Sequence, residues 1–393
     1  MSTARAWRWR AALALAVAVA GCSGMAEKIS TGFGLWDSVD PAAQPAPLPQ
    51  ITATITPRIA WQGSVGEAGN WVFSPGVDGD EISAASQSGE LSRFDRGTGV
   101  LLWRAKTGQA FSGGVGAGGG GIALVATARG EILAFGSAGE IKWKAEVRSE
   151  VLAPPLVAEG VVVVRTTDSR VFGLDASDGK RKWIYQRANP TLTIRSASGL
   201  AIYRGAVFAG FPGGRLVALN LANGAVGWEA PVALPRGTTE LERVTDVTGA
   251  PVLDDKQVCA VAFQGRLACF EPRGGNLLWA REVSSYAGLA MDERYIYVTD
   301  DRSGVQAFGR ESGASVWKQD KLLNRRVTAP QIFGTLVAVG DLEGYVHFLS
   351  KEDGSFVGRI ATDGSAIAAK PTQVDGRLLV QTRKGGLFAI EVP

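Results

Sequence analysis

From about residue 55 onward the chain is built of short runs in which apolar and polar positions alternate, broken at close intervals by glycine and aspartate. Gly-Arg-Leu-Val-Ala-Leu (214–219) and Gly-Arg-Leu-Ala-Cys-Phe (265–270) carry apolar side chains at period two. That period predicts a half-buried β-strand. A turn of the form Asp/Asn-x-x-x-Gly follows, in which glycine supplies positive φ and the Asx side chain bonds nearby backbone. The next short strand ends in tryptophan. Upstream lie two further apolar runs, such as 155–157 and 161–165. The unit is therefore four short strands.

This unit repeats. Trp61, Trp103, Trp143, Trp183, Trp228, Trp279 and Trp317 are spaced 38 to 51 residues apart, and each from Trp103 onward closes a similar stretch. In 344–358 Gly358 stands where tryptophan is expected, and a last partial copy, Gly-Gly-Leu-Phe-Ala-Ile (385–390), runs into the C-terminus. Leu91, Ile132, Val171, Leu216, Leu267, Val305, Val346 and Leu387 occupy one equivalent position, which makes eight units. Four strands per ~40 residues is the arithmetic of a propeller blade. The last unit lacks its outer strand, while Ile55–Trp61 is a strand without a blade. The prediction is an all-β, eight-bladed β-propeller over 51–393, built of four-stranded antiparallel blades. Its N- and C-terminal strands pair to close the ring, which removes an exposed edge. The tryptophans are expected to dock blade on blade, each filling a wedge-shaped gap and bonding its N–H to neighbouring backbone.

The N-terminus reads as an address. Arg5, Arg8 and Arg10 precede the apolar run Ala11–Ala20, too short to span a bilayer, and Val19-Ala20-Gly21-Cys22 follows. This resembles a bacterial lipobox. It predicts a lipoprotein signal peptide over 1–21, lipidation (palmitate among the acyl chains) at Cys22, and a lipidated, proline-rich tether over 22–50. Ser23, rather than Asp, favours outer-membrane sorting. Three acyl chains exceed the two-signal threshold for stable anchoring.

Composition narrows the function. Of 41 basic residues three lie in the signal segment, which leaves the rest balanced against 38 acidic ones. A neutral chain does not suit sequence-independent nucleic-acid binding. The single histidine, His347, argues against His-based triads and multi-His metal sites, and its place in a strand predicts a structural role. Gly116–Gly121 matches G-x-G-x-x-G, but a strand follows where the dinucleotide fingerprint needs a helix, so a flexible loop is expected. Asp78-x-Asp80-Glu81 lacks calcium-loop spacing and reads as a turn. Cys259 and Cys269 flank a hairpin at Gln264-Gly265. A two-residue turn would set them on opposite faces, and a slip of one residue would let them meet. Buried thiols are the expectation. No cofactor, metal or catalytic residue is predicted.

Two consecutive connections are longer than the others, 183–214 and 228–265. Both run from an outer strand to the next inner strand, so they emerge on one face and form one composite patch. The first carries Pro190-Thr191-Leu192-Thr193-Ile194-Arg195, which alternates like a strand. Leu192, Ile194 and Arg195 can anchor a partner by strand addition or by filling a pocket. Asp246, in the second, can neutralise a basic partner residue.

Asp/Asn-x-x-x-Gly-x-x-x-Trp, as in 175–183 and 220–228, resembles the tryptophan-docking motif of eight-bladed quinoprotein-type propellers. With the lipobox and tether, residues 22–393 are similar to the BamB family of lipoproteins of the outer-membrane β-barrel assembly (BAM) complex. The resemblance implies a non-catalytic scaffold, lipid-anchored in the outer membrane and facing the periplasm, that aids folding and insertion of outer-membrane proteins. It further implies that Leu192, Ile194, Arg195 and Asp246 contact the periplasmic POTRA domains of BamA, with nascent outer-membrane proteins as a further partner class. Thr248 departs from the family's second acidic position. The alternatives are a periplasmic PQQ-dependent quinoprotein dehydrogenase, against which stand the missing Cys-Cys pair and the shorter chain, or another propeller binding module.

Overall fold

The computed structural model describes residues 44–393. The signal segment 1–21, Cys22 and the first part of the tether lie outside the described residues. From residue 46 onward the chain is a single compact unit of β-strands, with no helix among the described residues. Eight antiparallel sheets follow one another, each ordered from inner to outer strand as it occurs in the chain. Blade 1 is Gly76–Asp78, Glu81–Ala85, Glu90–Asp95 and Leu101–Lys106. Blades 2 to 7 span 111–146, 156–186, 200–231, 246–282, 288–319 and 331–361. Blade 8 takes three strands from 372–391 and its outer one, Arg58–Ser64, from the N-terminus. Arg58 lies opposite Glu391 and Ser64 opposite Gly386, so the ring closes as predicted.

The strands after each first turn are not half-buried. Val161–Arg165 and Arg170–Asp175 are buried at nearly every position, as are their counterparts in the other blades. Each middle strand is covered on both faces by neighbouring blades, so the period-two pattern does not separate core from solvent. Small or paired polar groups tolerate this burial. Ser92 is buried, and buried Arg93 bonds Glu81, Ser83 and the Gly121 carbonyl.

The outer strands of blades 2 and 3 expose most of their side chains but bury the tryptophan. In each blade the outer pairing shifts register beside the tryptophan position, for example between Gly173 and Leu174 opposite Trp183. Such a bulge re-aims a side chain, here into the seam. Trp61, Trp103, Trp143, Trp183, Trp228, Trp279 and Trp317 each donate Nε1–H to a main-chain carbonyl of the next blade, at 2.6 to 3.1 Å. The indole lies flat on that blade's turn glycine. At Gly224, φ is +71° and a Cβ would stand 2.6 Å from the Trp183 ring, so glycine is required on both counts.

Seven tryptophans serve eight seams. At the eighth, between blades 7 and 8, Gly358 takes the tryptophan position and no turn faces it, because blade 8 is where the chain ends meet. The N-terminal segment fills the gap. The N–H groups of Thr54 and Ile55 donate to the Val357 carbonyl at 2.8 and 3.1 Å, and a Cβ on Gly358 would stand 2.5 Å from Ile55 Cγ1. The segment is clamped again at Pro49, whose carbonyl accepts from Arg359, and at Ala46, held by Leu323 O and Arg325 Nη1.

Two local expectations are corrected. Cys259 and Cys269 form a disulfide across adjacent strands of blade 5, both fully buried in the cluster that packs against blade 6. The pairing is centred on Gln264, at φ +47°, with Val261 opposite Leu267, and that register sets the cysteines directly opposite. The glycine run is not a flexible loop. Phe111–Gly118 is the innermost strand of blade 2, and only Gly119–Gly121 form the turn. Its glycines let inner strands crowd together at the hub. A Cβ on Gly116 would stand 2.1 Å from the Pro155 carbonyl oxygen.

His347 is fully buried in blade 7, its Nε2 3.0 Å from Asp341. Burial holds the imidazole below its ordinary pKa. Burial alone would raise the Asp341 carboxyl, but hydrogen bonds from His347, the Tyr345 N–H and Arg325 outweigh it and hold it below the usual carboxylate range. For both groups the unfolded chain takes up its proton first as the pH falls. Their stabilisation is therefore complete above the ordinary imidazole pKa of ~6.5 and is lost on acidification, first through His347 and then, at lower pH, through Asp341. Denaturant midpoints at pH 7.5 and 5.5 should differ, and His347→Gln should shrink that difference. A variant that keeps the full difference would assign the acid sensitivity to another group.

Candidate functional site

All eight connections from an outer strand to the next inner strand lie on one face of the ring, because every blade has the same strand order. The connection 187–199 is the first of the two long ones. It forms no strand, contrary to its alternating pattern. Side chains hold it instead. Ser169 bonds Asn189, and Ser198 Oγ donates to the Val247 carbonyl at 3.1 Å. The second, 232–245, carries a capped turn in which the Thr238 and Thr239 N–H groups donate to Glu242 at 2.8 and 3.0 Å. It displays Leu241, 72% exposed.

The four residues singled out from the sequence come together here in two roles. Leu192 is 41% exposed and faces outward. Arg195 is exposed, Ile194 half-buried between them. Asp246 is turned inward, 3% exposed. Its carboxylate accepts the Ile194 N–H at 2.6 Å and the Gly213 N–H at 3.2 Å, so it fixes the backbone at Ile194. Burial raises its pKa, opposed by those two N–H groups and by Arg165. Thr248 is also buried, its hydroxyl on the Ser285 carbonyl.

Three further residues complete the site, and sequence reasoning passed over them. Glu150 takes both Nε and Nη2 of Arg195, at 3.0 and 2.8 Å, and these bonds raise the guanidinium pKa. Trp71 lies under the same guanidinium, 4.8 Å from ring centre to Cζ. Arg165 stacks on Phe211, donates to the Ser198 carbonyl at 3.1 Å and leaves Nε buried without a partner. Burial lowers its pKa to about 10, against the attraction of Asp246. Arg165, Arg195, Glu150 and Asp246 border a cavity of about 260 Å³, with the hydroxyls of Thr166, Thr193 and Ser196 in its wall. Trp71, Glu150 and Arg195 belong to three separate connections, so no local motif announces them.

The arrangement offers an exposed leucine, a half-exposed arginine and a polar recess on a rigid base, which suits docking of another macromolecule. Among the described residues no three His, Cys, Asp or Glu side chains gather as a metal site.

A family model described as "Outer membrane protein assembly factor BamB" matches residues 87–319. The outer membrane protein assembly factor BamB of Bordetella pertussis is 43% identical over 387 residues, 98% of this chain and 97% of its own. The crystal structure of BamB from Moraxella catarrhalis superposes with a TM-score of 0.80 at 28% identity, covering 86% of this chain and all of that one. A quinohemoprotein alcohol dehydrogenase from Comamonas testosteroni superposes with a TM-score of 0.68 at 12% identity, over 87% of this chain and 78% of its own, a likeness of fold alone.

Proposed function

The chain belongs to the BamB family, and from that premise we propose that it is a non-catalytic scaffold of the outer-membrane β-barrel assembly complex. It binds the periplasmic POTRA region of BamA through the face that carries 187–199 and 232–246, and so aids folding and insertion of outer-membrane proteins. Residues 1–21 are removed as a signal peptide, Cys22 carries the lipid, and the proline-rich stretch to about residue 50 leads to the propeller of 51–393. The anchor holds the propeller at the periplasmic side of the outer membrane, with up to ~80 Å of extended chain between Cys22 and the clamp at Ala46.

The observation that carries this reading is the coincidence of the two longest connections on adjacent seams of one face, with Leu192 and Arg195 presented outward and Ile194 pinned by Asp246. A rigid base that displays one apolar and one cationic anchor has the anatomy of a binding hot spot. Asp246 serves by holding the Ile194 backbone rather than by meeting the partner.

Arg195→Glu should weaken binding to BamA by roughly 30-fold or more, the scale of reversing a charge at an interface centre. Stability should change by only about 1 kcal/mol, since the Arg195–Glu150 pair is partly open to solvent and screened by it. Cross-linked capture from cells and a thermal melt read the two quantities. Unchanged recovery of BamA with Arg195→Glu would remove this patch from the interface.

A further inference from the structure

Arg195 is exposed on its connection, yet the edge of its guanidinium best suited to a carboxylate is already taken. Nε and Nη2 both lie on Glu150, at 3.0 and 2.8 Å, the paired geometry in which arginine grips an acid. We propose that Glu150 is an internal stand-in for the partner. In the free protein it latches Arg195, and on docking an acidic side chain of the partner displaces it. The inference rests on the docking reading above and identifies the chemistry of the group that meets Arg195.

The local structure is made for such an exchange. The backbone beside Arg195 does not need to move, because the Ile194 N–H is held by buried Asp246 at 2.6 Å. Trp71 supports the guanidinium face at 4.8 Å and leaves the edge to whichever carboxylate is present. Glu150 sits on a different connection, 45 residues away, so rotation of two side chains opens the latch without any change of fold. The pair is partly solvent-exposed, with 54% of the Arg195 side chain and 25% of the Glu150 side chain accessible, so water screens the attraction and competes for both groups. A second cation, Arg165, borders the same cavity, so an incoming carboxylate meets the field of more than one positive group. An internal competitor lowers apparent affinity by the fraction of time it holds the site.

The test is a gain of function, which a merely structural role for Glu150 does not give. Glu150→Gln, in the mature full-length chain, should bind full-length BamA in detergent about two- to five-fold more tightly, the scale of one exposed ion pair. The gain should vanish in an Arg195→Ala background. Glu150→Ala should repeat the gain, and a thermal melt of each variant establishes that the ring is intact. Affinity equal to or weaker than native in both Glu150 variants, while Arg195→Glu loses binding, would overturn the latch and leave the docking face standing. Native binding by Arg195→Glu would overturn the docking reading and the latch with it.

Discussion

Trp183→Ala should cost about 3–5 kcal/mol of stability, near the top of what a single core truncation does. The indole is 7% exposed and stands between blades 3 and 4, in contact with the buried core that Val207, Val217 and Leu219 share with Val161 and Val171. Truncation removes its apolar contacts on both blades and opens a cavity that two rigid sheets cannot collapse. It also leaves the Leu221 carbonyl without the 2.8 Å bond from Nε1. Trp183→Phe should lose less, since the ring still fills part of the seam while that carbonyl remains orphaned. Equilibrium unfolding in denaturant separates these outcomes. A loss well below 1 kcal/mol for the alanine variant would mean that the indole does not cement the seam.

The same reasoning explains why the fold was so legible. The wedge between radially placed sheets is one packing problem posed at every seam, and the chain answers it seven times with the same residues, a tryptophan on one blade and a turn glycine on the next. A solution repeated at regular spacing is visible without coordinates. The eighth answer was not visible. Gly358 announces only that a tryptophan is missing, and nothing in the stretch 46–55 indicates that Ile55 fills its place. Legibility also failed where one residue decides the geometry. Whether the hairpin centres on Gln264 or between Gln264 and Gly265 settles whether Cys259 and Cys269 meet, and the flanking sequence suits either.

The candidate site shows the same division. Leu192, Ile194 and Arg195 stand out in the sequence because an insertion is a local property of the chain. The inward turn of Asp246 does not, because its partners are the N–H groups of Ile194 and Gly213, which only the ring brings near. Glu150 and Trp71 carry no signal of their own. An acid and an aromatic in separate connections meet one guanidinium only when the blades point those connections at one mouth. Scaffold information is periodic and redundant along the chain. The polar detail of the candidate site is written once, across distant segments.

The buried polar cluster in blade 7 is the other place where a single change should be severe. Asp341 is wholly buried, lies 2.8 Å from Nη2 of Arg325, and accepts from four donors: Nε of Arg325 at 2.8 Å, His347 at 3.0 Å, and the N–H groups of Glu343 and Tyr345 at 3.0 and 2.9 Å. Arg325 is 1% exposed. Asp341→Ala strands that guanidinium in the core with only Glu343, the Ala46 carbonyl and no central anion, and it leaves two N–H groups unmatched. Breaking a buried pair from one side costs about 3–5 kcal/mol, because the remaining charge keeps its desolvation penalty. The damage should also reach the N-terminal segment. Arg325 Nη1 holds Ala46 at 2.9 Å, so a guanidinium that swings out toward water releases the clamp. Amide exchange should therefore accelerate at residues 46–55 as well as in blade 7, whereas Trp183→Ala should speed exchange in blades 3 and 4 first. Removing the charge and its counter-charge together, as Arg325→Met with Asp341→Leu, should recover part of the loss in global stability, since an apolar pair has no ion to solvate. It should not restore protection at 46–55, because methionine offers no donor to the Ala46 carbonyl. Full protection of that segment in the double variant would show that Ile55 and the Val357 carbonyl hold the eighth seam without help from Arg325.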